Sequence, residues 1–355
     1  MTTAPSEPSG AVGAQAAAGR SSRLWQGLLA LAVSAALLWF AFRDVDFREA
    51  VGYLRAVHAG WLLAAVVAAT AAFPLRLARW RLLLRAEDDR PYPWLPLWHA
   101  VAMGFAANNL LPFRAGEVVR TVAASRLTGA RFSSALASVA VERVFDSLTV
   151  VGLLAVALLL PGMPSGVEFA GVPVEQVATS GGALALAALF AAAAVVAFPR
   201  AAEELVRRTV PSDKLAHRLI GTIEGVRQGL AVLRSPLRLV AVCVWSLVLW
   251  LVNALSFYLA FVAFDLPVGF AGALLLQGVL AFGIAVPSAP GYVGPFEAVI
   301  TAVLAVYGVS ASQAIACAVA YHLTTFFPIT LLGIASAARS GLGLRGAREQ
   351  GPPDA

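Results

Sequence analysis

Six apolar stretches dominate this chain, at residues 24–42, 60–78, 133–160, 179–198, 237–263 and 311–337. Each is long enough to cross a bilayer, which takes about 20 residues of helix over about 30 Å of hydrocarbon. Runs of that number and length mark an integral membrane protein. The charge content agrees: 13% of the 355 residues are charged, against about 25% in a soluble globule. The fold class that follows is all-α and polytopic, because a helix in lipid satisfies its own backbone hydrogen bonds.

The net charge of +6 does not point to nucleic acid. The basic residues gather between the apolar runs, as they do in cytoplasmic loops. Arg20 and Arg23 precede the first run and place the N-terminus inside. That run is long for a signal peptide and lacks a cleavage site, so it reads as an uncleaved anchor. The loop RDVDFREAVGYLR balances three arginines against three acids and fits outside. RLARWRLLLRAEDDR, with five arginines against three acids, fits inside. The loop before residue 180 has two acids and no base, and fits outside. Segment 200–236 reads as a cytoplasmic amphipathic element, with Leu215, Leu219 and Ile223 at helical spacing. Arg339, Arg345 and Arg348 place the C-terminus inside. The expected divisions are a disordered tail over 1–22, a membrane domain over 23–338 and a cytoplasmic tail over 339–355. The expected location is the plasma membrane, with both termini cytoplasmic.

Two further apolar stretches are too short or too broken to cross. Residues 97–111 make about 22 Å of helix and end in NNLLPFRAGEVVR. This reads as a hairpin over 97–130 that enters from the cytoplasm, breaks at Pro112 and Gly116, and returns. Residues 269–309 contain AVPSAPGYVGPFE, with breaks at Pro290, Gly291 and Gly294. This second hairpin enters from outside. Two re-entrant hairpins from opposite faces, each followed by a glutamate, are what an inverted repeat produces. Ordinary short or tilted helices are the alternative.

Broken backbone at membrane depth needs protein or a watery cavity around it. Asn108 and Asn109 can pair with freed backbone groups. Glu117 falls at the start of the returning helix, where a carboxylate suits the positive helix end. Arg114 and Arg120 flank the turn. The next crossing carries Glu142, Arg143 and Asp146. Glu142 and Asp146 share a helix face, and Arg143 is spaced to pair with Asp146. Charges at such depth are expensive and mark either a self-compensating network or a functional cavity. Arginine's planar fork suits phosphate. Asn109, Arg114, Glu117, Arg120, Glu142, Arg143, Asp146 and Glu297 are therefore the candidate substrate-binding residues. Asn253, Ser256, Tyr258, Gln277 and Tyr292 read as helix-packing or interface residues.

Cys243 and Cys317 lie inside apolar runs and read as small buried hydrophobes. With four histidines they offer no metal-ligand spacing. No phosphate-binding GxxxxGK[ST] loop, dinucleotide fingerprint or nucleophile elbow occurs. No metal, no cofactor and no catalytic residue is expected.

NNLLPFRAGEVVR, VERVFDSL and PSAPGYVGPFE, in that order and spacing, resemble the transmembrane domain of lysylphosphatidylglycerol synthases, a flippase-like family. The resemblance covers residues 24–337. It implies a membrane domain that moves lipid between leaflets, while a separate soluble domain does the aminoacyl transfer in two-domain members. The motif positions it carries over are Asn109, Pro112, Arg114, Gly116, Glu117, Arg120, Glu142, Arg143, Asp146, Pro290, Gly291, Gly294 and Glu297. A stand-alone member without the aminoacyltransferase domain is expected. The expected function is translocation of an anionic phospholipid or a polyprenyl-phosphate-linked lipid, with a separate lipid-modifying enzyme as partner. The alternatives are a membrane enzyme acting on a lipid phosphate and a non-transporting partner of envelope lipid synthesis. No pattern in the chain speaks to oligomeric state.

Overall fold

The computed structural model describes residues 9–86, 88–111, 115–160, 168–169, 172–173, 176, 179–180, 183, 187, 204, 208, 235–284 and 288–342. The expected crossing 179–198 and the amphipathic segment 200–236 lie almost wholly outside these residues, as do Pro112 and Arg114. The described helices are α1 Ser9–Phe42, α2 Phe47–Ala56, α3 Ala59–Leu83, α4 Trp94–Leu110, α5 Gly116–Thr128, α6 Phe132–Leu159, α7 Pro236–Ala263, α8 Phe270–Gly283, α9 Pro295–Val306 and α10 Ala311–Ser340. A two-residue pairing of Glu168–Phe169 with Val172–Pro173 and an isolated bridge between Arg85 and Pro91 are the departures from helix and loop among the described residues.

The fold is all-α and polytopic. Among the described residues, α3, α7 and α10 are long and apolar enough to cross a membrane. The bent pair α1 and α2, turned by 82°, makes a fourth if counted as one span. α6 has the length, at 28 residues, but carries Glu142, Arg143 and Asp146 near its middle. The trace of α1 starts at Ser9, inside the segment whose small polar composition suggests a tail. The loop expected between the first two crossings contains α2. Asp46 starts it by accepting hydrogen bonds from the backbone N–H of Arg48 at 2.8 Å and of Glu49 at 3.1 Å.

Local chemistry explains the other boundaries. Ser235 caps α7, with Pro236 at its first position, where the missing N–H costs nothing. Ser310 accepts from the N–H of Gln313 to start α10. Gly129 and Gly341 end α5 and α10 in the left-handed conformation that glycine adopts without strain.

α3 pairs along α7, while α10 runs against α4 at one end and α9 at the other. α4 and α5 form one helical hairpin, and α8 and α9 form the second. The helices of these hairpins have 17, 13, 14 and 12 residues, about 18–26 Å each, short of the hydrocarbon thickness. Each hairpin has its own apolar core. Trp80, Leu97, Met103 and Phe145 lie in the first. Phe261, Leu275, Leu276 and Ile315 lie in the second. α10 spans both cores, and the two hairpin breaks meet beside it. An added Cβ at Gly291, in the second break, would lie 3.4 Å from the carbonyl oxygen of Asn109, at the end of α4.

Candidate functional site

The site starts from the end of α3. The sequence suggests a cytoplasmic loop from Arg76 onward, and the structure corrects this. The helix continues to Leu83 and carries Arg76 and Arg79 into the bundle. Arg79 is fully buried and Arg76 nearly so. Their partners are carboxylates on α6, far away in sequence, so charge alone placed them wrongly.

Glu142 is the hub. Arg120 grips it with two parallel bonds, Nη1 to Oε1 at 3.0 Å and Nη2 to Oε2 at 2.8 Å. Arg76 Nη1 donates to Oε1 at 2.7 Å. Arg143 Nη2 donates to the same oxygen at 3.2 Å. Asp146, one turn further along α6, accepts from Arg79 Nη1 at 2.6 Å and from Trp250 Nε1 at 2.9 Å. Ser246 takes a further bond from Arg79 at 2.9 Å. The ring of Trp80 lies 3.7 Å from the Arg120 guanidinium carbon and is itself fixed by Ser138. A cation over an aromatic face gains from the ring quadrupole.

Close helix contact makes this convergence possible. A Cβ at Gly104 would come within 2.7 Å of Arg120 Cβ, and one at Gly116 within 2.0 Å of the Gly104 carbonyl oxygen. Two glycines therefore let α4 and α5 touch, and that contact sets where Arg120 points. The expected pairing of Asn108 with freed backbone is present: its Oδ1 accepts from the Gly116 N–H at 2.9 Å. Asn109 instead donates to Thr330 of α10 at 2.9 Å.

The cluster is unbalanced. Four guanidinium groups, from Arg76, Arg79, Arg120 and Arg143, face three carboxylates, from Glu117, Glu142 and Asp146. One positive charge is in excess. Among the described residues, the Nε atoms of Arg76, Arg79, Arg120 and Arg143 are buried with no hydrogen-bond partner. Arg79 Nη2 lies 3.2 Å from Glu142 Oε1, close enough for attraction but misaligned for a hydrogen bond. Arg143 and Glu117 form the open edge. Each side chain is 39% exposed, and Arg143 Nε lies 3.5 Å from Glu117 Oε1. Arg143 is thus the outermost of the four arginines. Its expected pairing with Asp146 is present at 3.3 Å.

The candidate residues do not all converge. Glu117, Arg120, Glu142, Arg143 and Asp146 belong to the cluster, and Asn109 sits at the meeting of the breaks. Glu297 lies in the second hairpin, paired with His322 of α10 at 2.6 Å. Arg76, Arg79, Ser246, Trp250 and His322 are additions that the sequence reading missed. A histidine in the middle of an apolar run was the available signal for His322. For Arg76 and Arg79 the signal was three-residue spacing at the end of a run with no breaker after it.

Gln277 is 2% exposed, and neither polar atom of its amide has a hydrogen-bond partner among the described residues. Ser256 bonds the Tyr321 hydroxyl, and Tyr258 meets Phe270 edge-on. Cys317 is buried as expected, but Cys243 lies on the outer face of α7, where an apolar thiol can face lipid. Among the described residues no three His, Cys, Asp or Glu side chains gather as a metal site.

The chain is similar to known proteins. A glycosyltransferase, AglD, from Haloferax volcanii is 28% identical over 324 residues, covering 83% of this chain and 51% of that relative. The chain thus spans about half that relative's length. A UPF0104 membrane protein from Methanothermobacter thermautotrophicus is 25% identical over 297 residues, covering 79% of this chain and 84% of that protein. The family described as "Lysylphosphatidylglycerol synthase TM region" matches residues 27–333. Matching a transmembrane region supports a membrane role. That match covers most of the chain, and the chain belongs to the lysylphosphatidylglycerol synthase transmembrane-region family.

Proposed function

We propose that this protein moves an anionic phospholipid or a polyprenyl-phosphate-linked lipid between leaflets, with the head group passing the open edge of the arginine cluster. Family membership supports a lipid-translocating role. The observation that carries the finer reading is the excess of buried guanidinium charge behind the loose, half-exposed pair of Arg143 and Glu117. A phosphate offers what the cluster lacks: negative charge and acceptors for unpartnered N–H groups.

In this reading the head group displaces Glu117 from Arg143. Arg120, Arg76 and Arg79 supply the field behind it, while Glu142 and Asp146 hold those arginines in place. Arg114 and Asn109 belong to the same path, Arg114 by its place in the sequence. The acyl chains stay in lipid throughout. The two short hairpins are half-depth, enter from opposite faces and are related as an inverted repeat among six crossings. Their similar lengths and their meeting beside α10 support this. Both termini are cytoplasmic, the membrane is the plasma membrane, and 1–22 and 339–355 are tails. A separate lipid-modifying enzyme supplies the substrate. In support, the relative named a glycosyltransferase is about twice the length this chain matches.

The test is head-group transfer in vesicles, with labelled phosphatidylglycerol in one arm and a labelled polyprenyl phosphate in the other. Arg143→Ala is expected to slow transfer by roughly ten-fold or more, the scale of losing a charge-assisted hydrogen bond. Arg143→Lys should recover part of the rate. Normal transfer by a folded alanine variant in both arms would end this reading.

A further inference from the structure

The second hairpin holds a buried ionisable pair that the arginine cluster does not use. Glu297 is 5% exposed and stands at the third position of α9. Its Oε2 accepts from the backbone N–H of Gly294 at 2.8 Å. Its Oε1 lies 2.6 Å from His322 Nδ1. The other ring nitrogen, Nε2, lies 2.9 Å from the carbonyl oxygen of Gly291.

Hydrogen counting decides the state of this pair. A carbonyl oxygen only accepts, so Nε2 carries a hydrogen and donates it to Gly291. Nδ1 and Oε1, at 2.6 Å, need a second hydrogen between them. Two descriptions satisfy both contacts: imidazolium with carboxylate, or neutral imidazole with carboxylic acid. They contain the same number of protons. Removing one proton sets a lone pair against an oxygen at one contact or the other. No tautomer of the neutral ring avoids this while Glu297 is ionised. In a buried site that repulsion is weakly screened.

Among the described residues, the surroundings offer no substitute charge. Phe296 of α9 lies 4.3 Å from the imidazole, centroid to centroid, and Phe326 of α10 meets it edge-on. Tyr321 of α10 stacks on Phe296 and directs its hydroxyl to Ser256 of α7. Tyr292 belongs to the break itself. From α1, neutral Ser34 accepts the Ala289 N–H, and from α4, neutral Asn109 borders Gly291. Among the described residues, the recorded ion pair of Glu297 and of His322 is with each other.

We infer that Glu297 and His322 form a proton-binding site whose bound proton holds the 290–294 turn against α10. Release of the proton unhooks the Gly291 carbonyl. Gly291, at positive φ like its neighbour Tyr292, then loses one of the contacts that hold its turn. This turn borders Asn109 of the first hairpin, so proton occupancy sets how tightly the two breaks are joined. The inference rests on the hydrogen-bond geometry and is independent of which substance the protein carries.

The experiment is hydrogen–deuterium exchange of the full chain in nanodiscs from pH 5 to 9, corrected for the intrinsic pH dependence of exchange. For wild type, protection of the peptide containing 288–294 should fall by on the order of ten-fold across a single-proton step. Glu297→Gln keeps an acceptor for Gly294 and a donor for Nδ1, so it should stay protected at every pH. His322→Gln should abolish the step. Unchanged exchange of α3 serves as the control for folding. A flat wild-type profile overturns the inference, and so does a step that persists in a folded His322→Gln or Glu297→Gln protein.

Discussion

Glu142 shows why a buried charge in this protein cannot be weighed as a single pair. It is wholly buried and accepts from Arg76, Arg120 and Arg143 at once. Desolvation of each ion costs several kcal/mol, and only the shared geometry offsets it. Removing the acceptor strands several guanidinium groups together. Glu142→Gln is therefore expected to destabilise the protein by about 3–5 kcal/mol, measured as a lower unfolding midpoint in detergent. Arg143→Ala removes the half-exposed member and should cost about 1 kcal/mol or less. That contrast separates the structural centre of the cluster from its open edge. Equal losses for the two variants would contradict the division. At this scale the sequence was informative about residue types. Glu142, Arg143 and Asp146 stand out in an apolar run, and their own helix spacing pairs Arg143 with Asp146. The partners on α3 were hidden, because contacts across 66 and 67 residues leave no local signature.

The elements depend on where backbones approach. Gly116 begins α5 against the carbonyl oxygen of Gly104, at a distance no Cβ can occupy. Gly116→Ala should push α5 away from α4 and shift Arg120 off Glu142. The expected cost is about 1–3 kcal/mol from overpacking alone, read as a lower thermal midpoint. Gly152, which has open space around it, provides the control: Gly152→Ala should leave the midpoint unchanged or raise it, since alanine favours helix. Breaks were legible as proline and glycine after apolar runs. The role of each glycine was not, since the same residue serves as a close-contact point at 116 and a left-handed turn at 291.

Across the whole molecule, one ion pair closes the end of the α3–α7 layer. Arg238, in the first turn of α7, donates to both oxygens of Asp89 at 2.8 and 2.6 Å. Partial burial tends to raise the Asp89 pKa, but hydrogen bonds from Arg238 and Arg85 outweigh it and hold the carboxyl below its usual range. The sign follows from that depression. The pairing stabilises the fold above the ordinary aspartate pKa of about 4, and this contribution fades as pH falls through the lower folded value. Asp89 is half exposed, so the effect is small and weakens with salt. Lowering pH from 5 to 3 should widen a spin-label distance between residues 88 and 237 in wild type. Asp89→Asn should show no such step; an identical step there would assign the change to other groups. Membrane class, the long helices and both hairpins were determined by the sequence itself, because long apolar runs have few solutions in lipid and proline and glycine interrupt them locally. The convergence of arginines from α3 and α5 on α6, and of His322 on Glu297, was decided only by tertiary structure. Charge pairing inside a low-dielectric bundle depends on distance in space, and a linear chain does not carry that distance.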